Sequence, residues 1–166
     1  ELPIPLRVTA TDAVTGRPVV IDRGPLAPAL RASMALPFLF PPVRIDGRRL
    51  VDGVVSDPLP VSAAARAQAV ITLGFEGAMP RRVDRPSRLV AQHSTSLMNN
   101  LMRARIETAE ARGQRLLGLT LTLKRRIGLW ETDALPELFE AGQRAAEERI
   151  GEIHALLDGT PRRAAA

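Results

Sequence analysis

The chain contains no cysteine, so neither a disulfide framework nor a thiolate metal site is available to it. Tyrosine is also absent, there is one tryptophan, and aromatics reach only 3%, too few to supply the stacking platforms of a single-strand nucleic-acid binder. Lysine occurs once, at Lys124, and the net charge of +5 is carried almost wholly by arginine. Those arginines are scattered. Their tightest clusters, Arg81-Arg82 with Arg85 and Arg88, and Lys124-Arg125-Arg126, read as solvated faces and not as a nucleic-acid footprint. A modest basic surface of this kind favours anionic lipid surfaces or acidic substrates. No apolar run approaches the roughly 18 residues of a membrane span, and none of these residues reads as a secretory signal. The only imidazoles, His93 and His154, lie far apart and do not suggest a metal pair. No cofactor is implied.

What is present is an ordinary globular balance. At 166 residues, with 45% hydrophobic and 25% charged, the chain has enough apolar material for one domain with a packed core. Its expected extent is 1–158, with 159–166 as a flexible tail. Pro5–Thr11 alternates and predicts a strand; Val14–Gly16 a turn; Arg17–Asp22 a second strand. Pro25–Ala35 predicts a short helix with Leu26, Ala29, Leu30 and Met34 on one face. The proline-bounded run Leu36–Pro42 predicts an ordered, buried loop. Asp46-Gly47 between Val43–Ile45 and Arg48–Val51 is a strong two-residue hairpin signal.

Further on, Leu59–Ala69 predicts a short helix, Val70–Phe75 a strand and Gly77–Pro86 an exposed loop. Ser87 is placed to cap a long helix ending near Arg112. Leu116–Leu123 predicts a strand, and Asp133 to about Gly159 one last helix with a continuous apolar stripe. Strands interleaved with helices point to an α/β layered fold with a mostly parallel sheet and a local hairpin.

Asp52 is the sharpest chemical candidate. It stands where a strand stops and Gly53 lets the chain turn. A carboxylate beyond the carboxyl end of a strand is placed to accept a proton from a nucleophile or water. Asp-Gly is equally a common turn, and spacing alone leaves that alternative standing.

The surrounding order of motifs resembles the second half of patatin-like phospholipases. It comprises Ala32-Ser33-Met34-Ala35-Leu36-Pro37, then Phe40-Pro41-Pro42-Val43, then Leu50-Val51-Asp52-Gly53-Val54, then Pro58-Leu59-Pro60-Val61. The resemblance runs over roughly Ile4 to Gly77. It implies a three-layer α/β/α sandwich, here lacking its N-terminal half, and a serine acyl-ester hydrolase working through a Ser-Asp dyad. Asp52 becomes the dyad base and Gly53 its turn partner. The implied substrate is a lipid or other acyl ester, and the implied setting cytoplasmic or peripheral to a membrane.

Two departures stand out. Val54 replaces the usual Gly or Ala, which is awkward if that position needs φ > 0 or close backbone approach. The nucleophile is also missing: among twelve glycines none are four apart around a serine, so no Gly-x-Ser-x-Gly elbow exists in these residues. The expectation is that serine and oxyanion loop lie upstream of Glu1, and that these residues alone do not hydrolyse esters, need the missing half as partner, or aggregate. The alternative is a non-catalytic patatin-derived module that binds lipid or protein. Ser33 and Ser94 are weaker nucleophile candidates, since Ser33 sits in a helix-to-loop step and Ser94 cannot face its neighbour His93 on a helix. Leu97-Met98 and Leu101-Met102 could line an acyl pocket, although a helix packing face is the plainer reading.

Overall fold

The computed structural model describes residues 2–74, 85–121, 127 and 131–159. It is an α/β structure that divides into two compact units: Glu1–Ala64 with Asn100–Arg105, and Ala65–Asn99 with Ile106–Ala166.

The first unit is built on a four-stranded sheet of order β2-β1-β4-β3. Its strands are β1 (Val8–Asp12), β2 (Pro18–Ile21), β3 (Val43–Ile45) and β4 (Arg48–Asp52). All three pairings are antiparallel, with Ala10 opposite both Val19 and Asp52. Both hairpin turns follow from local chemistry. Asp12 Oδ1 accepts the Val14 and Thr15 N–H groups at 2.9 Å, and Gly16 takes φ 68°. Asp46 and Gly47 take φ 48° and 74°, the left-handed pair of a type I′ turn, as their sequence predicts.

Helix α1 (Leu26–Ser33) packs on β1, β3 and β4. The residues that meet the sheet are small. Ala32 and Ala10 are fully buried beside Leu50, with Val19, Ile21, Val43 and Ile45 around them. Burying Leu50 contributes about 2 kcal/mol. The expected apolar face of this helix is thereby corrected: Ala29 is buried, but Leu26, Leu30 and Met34 are exposed. A close helix–sheet approach selects alanine, and a larger side chain at Ala32 would push the helix away.

Three more corrections apply here. The Leu36–Pro42 loop is ordered but not buried. Leu36 C=O accepts both the Leu39 and Phe40 N–H groups, at 3.2 and 3.0 Å, which turns Phe38 outward at φ 70° and complete exposure. The predicted helix over Leu59–Ala69 is only a 3₁₀ turn at Val61–Ala64. Pro60 lacks an N–H, and the Arg7 guanidinium occupies the Ala63 carbonyl that a continuing helix would use. The sheet is also not mostly parallel, because two short hairpin turns supply antiparallel neighbours.

The second unit holds the one parallel pair among the described residues, β5 (Ala69–Gly74) with β6 (Arg115–Thr120). Between them in sequence comes α2 (Pro86–Ala111), which starts with Arg85 at its N-cap and Pro86 in the first turn, so Ser87 is not the cap. Leu117, Leu119 and Leu156 form the core, supported by Ala69, Ala146 and Ile153. The last helix is two: α3 (Leu135–Glu147) and α4 (Ile150–Leu157). They break at Arg149, which takes φ −116° and donates through NH1 to Gly118 C=O at 2.8 Å. The expectations for Phe75, Gly77–Asp84, Thr122–Leu123, the cluster at Lys124–Arg126 and the tail from Thr160 lie outside the described residues. No helix of the described residues is long and apolar enough to cross a membrane.

Candidate active site

Asp52 ends β4 beside the C-terminal end of α1, and its backbone N–H, its backbone C=O and one carboxylate oxygen are each engaged. Its backbone N–H donates to Ala35 C=O at 2.9 Å. Its backbone C=O accepts the Thr11 hydroxyl at 2.8 Å. Its carboxylate Oδ1 accepts the Val54 N–H at 2.9 Å. The motif Ala32-Ser33-Met34-Ala35 thus acts through smallness: Ala32 and Ala35 are buried, and Ala35 reaches the end of β4 because nothing larger intervenes.

Among the described residues Asp52 Oδ2 has no hydrogen-bond partner, so one oxygen is fixed and the other is left to accept a proton. The side chain is half-buried. Desolvation raises its pKa above the ordinary value of 3.8, and the Val54 N–H only partly opposes that. A carboxylate of raised pKa is a stronger base once ionised, the property a proton acceptor needs.

Gly53 is required for a reason other than its expected turn conformation. It is not among the residues of positive φ, but a Cβ there would lie 2.7 Å from the Thr9 carbonyl oxygen. The chain then makes a 3₁₀ turn over Gly53–Val55. Val54 has no positive φ either, so its β-branch is accommodated, and its backbone performs the carboxylate contact.

Beneath the turn lies Asp57, 3% exposed, a feature that sequence reasoning missed. Arg105, from the stretch of α2 that belongs to the first unit, places Nε 3.2 Å from Asp57 Oδ1. Ser62 Oγ donates to Asp57 Oδ2 at 3.1 Å, and Arg105 NH2 donates to Ser56 C=O at 3.1 Å. A lone acid inside the apolar run Val54–Val61 was the available signal, because a charge that deep needs a partner. Nothing in the sequence singles out which of the many arginines supplies it.

Apart from Ser33, which ends α1, the remaining candidates lie on α2. His93 Nδ1 is 2.9 Å from Leu89 C=O on its own helix. His93 and Ser94 belong to the second unit, Asp52 to the first. Leu97 is exposed, while Met98, Leu101 and Met102 are half-buried. Among the described residues no three His, Cys, Asp or Glu side chains group as metal ligands.

Comparison with known proteins concerns this same region. Residues 3–65 match the family model described as Patatin-like phospholipase. Uncharacterized NTE family proteins of Mycobacterium bovis and Mycobacterium tuberculosis are each 45% identical over 73 residues, covering 44% of this chain and 20% of the relative. The aligned part of the chain therefore spans about a fifth of the length of these relatives. The match and the residues that clamp Asp52 fall on one segment, so the likeness to patatin-like phospholipases is a property of residues 3–65.

Proposed function

We propose that this chain supplies the proton-accepting aspartate of a serine acyl-ester hydrolase. The family as a class points to lipid acyl hydrolysis. One observation carries the specific reading: Asp52 is a half-buried carboxylate at a strand end of that segment, with Oδ1 held by Val54 N–H and Oδ2 open.

In the proposed reaction a serine hydroxyl, contributed from outside these residues, attacks the ester carbonyl carbon. Asp52 takes the hydroxyl proton as the new C–O bond forms. When the tetrahedral oxyanion collapses, the alkoxy C–O bond breaks and Asp52 returns the proton to the leaving alcohol. Water then repeats the sequence on the acyl-enzyme, releasing the acid and free serine. Lipid or simple acyl esters are the substrate class, and no metal or cofactor is invoked. The isolated 166 residues are expected to be inactive.

General-base assistance is worth roughly 10²–10⁴-fold. In the full-length protein, Asp52→Asn is expected to lower p-nitrophenyl ester hydrolysis by at least that factor. The wild-type rate should rise with pH through a midpoint above the ordinary Asp value of 3.8. Activity retained by Asp52→Asn would remove Asp52 from the mechanism.

A further inference from the structure

Asp52 is fixed through a relay that reaches the far side of the turn. Thr11 Oγ1 has one hydrogen, and it goes to Asp52 C=O at 2.8 Å. Thr11 Oγ1 also lies 2.8 Å from Ser56 Oγ, so in that contact the serine must donate. Thr11 is 1% exposed, so its hydroxyl has little access to alternative partners in water. Ser56 in turn is held by its carbonyl, which accepts Arg105 NH2 at 3.1 Å. The backbone closes the same loop from the other side: the Ser56 and Asp57 N–H groups both donate to Gly53 C=O, at 3.2 and 2.9 Å.

One guanidinium thus grips two consecutive residues, Ser56 by its carbonyl and Asp57 by its carboxylate. The Arg105 Nε–Asp57 Oδ1 contact is close in distance but out of hydrogen-bond alignment. Its contribution is charge neutralisation: Asp57 is 3% exposed on its side chain, and a carboxylate at that depth needs a cation. The directional bond is the one to Ser56. Arg105 is therefore built both to neutralise the turn and to fix its register.

We propose that Arg105 is a positioning residue for Asp52: with Asp57 it locks the Ser56 peptide, and the Ser56–Thr11 hydroxyl relay transmits that lock to the end of β4. This rests on the reading of Asp52 as the proton acceptor. Arg105 touches neither Asp52 nor substrate in this role. Loss of the grip frees the turn, and the Val54 N–H that orients Asp52 Oδ1 moves with it.

The test uses the full-length protein and two readouts. Arg105→Met alone leaves Asp57 buried without its cation and risks unfolding, so the informative variant is Arg105→Met with Asp57→Asn, which removes both charges. It should keep the wild-type melting temperature within a few degrees, while kcat for a p-nitrophenyl ester falls roughly 10²-fold and KM stays within about twofold. Arg105→Lys, which retains the charge and can still donate to the Ser56 carbonyl, should recover most of the loss. Hydrogen exchange at the Val54 amide should accelerate by about tenfold or more in the double variant, with the β1–β4 ladder still protected. That second readout needs no activity. A folded double variant with wild-type kcat and an unchanged Val54 amide would overturn the proposal. If Asp52→Asn keeps activity, the catalytic reading fails instead, and the Val54 amide alone decides whether Arg105 fixes the turn.

Discussion

Gly53 lies so close beneath Thr9 that a Cβ at the glycine would sit 2.7 Å from the Thr9 carbonyl oxygen. The obstacle is backbone of β1 and cannot swing aside. A Cβ there would also meet Thr9 Oγ1 at 3.1 Å.

Gly53→Ala should therefore destabilise the protein by about 1–3 kcal/mol, the usual range for overpacking. Val54→Gly should cost less, about 1 kcal/mol, since its N–H remains and what is lost is part of a half-buried side chain and some backbone restraint. Denaturant midpoints of the two variants check the order. A mild Gly53→Ala would mean that β1 yields more easily than its place in the sheet suggests.

Two aspartates of the first unit give opposite pH responses. Asp52 has its pKa raised, chiefly by desolvation, so its contribution to stability is complete below the unfolded value near 3.8 and is lost as pH rises through the folded value. Asp52→Asn should melt higher than wild type at neutral pH, with the gap closing in acid. Asp12 has its pKa lowered, first by the Thr15 N–H and then by the Val14 N–H. Its contribution is present above the unfolded value and lost as pH falls through the folded one. Asp12→Asn should melt lower than wild type at neutral pH and converge with it in acid. Melting temperatures across pH 2.5–7 would reveal both signs, and a common sign would contradict the assignment of causes.

The left-handed positions separate strain from fit. At Gly47, φ is 74° and a Cβ would meet nothing within 4 Å, so Gly47→Ala should cost about 1–2 kcal/mol from conformation alone. At Phe38, φ is 70° and the side chain is fully exposed, so Phe38→Asn should raise stability by about 1 kcal/mol. Loss of stability in that variant would show that Phe38 makes contacts its exposure does not suggest.

Much of the first unit was legible because its signals are local. Asp46-Gly47 dictates its hairpin through two residues, and Asp52-Gly53 marks a strand end with a carboxylate. Misreadings came where tertiary fit overrode pattern. Leu26, Leu30 and Met34 have helical spacing, but the close approach of helix to sheet admits only Ala29 and Ala32. Leu59–Ala69 has helix-forming alanines, but Arg7, distant in sequence, takes the carbonyl at Ala63. The Asp57–Arg105 pair was hidden for the same reason: its two halves are far apart in the chain, and only folding joins them.

Among the described residues of the first unit, the sheet order β2-β1-β4-β3 leaves two short margins, of four and three residues. One begins at Pro18, which has no N–H to offer; the other follows Pro41-Pro42 and carries exposed Arg44 at its centre. Each margin is a poor template for a fifth strand. Any association of copies through this unit is thus steered away from strand addition and toward side-chain contacts, which are reversible and sensitive to single substitutions in a way that cross-β growth is not.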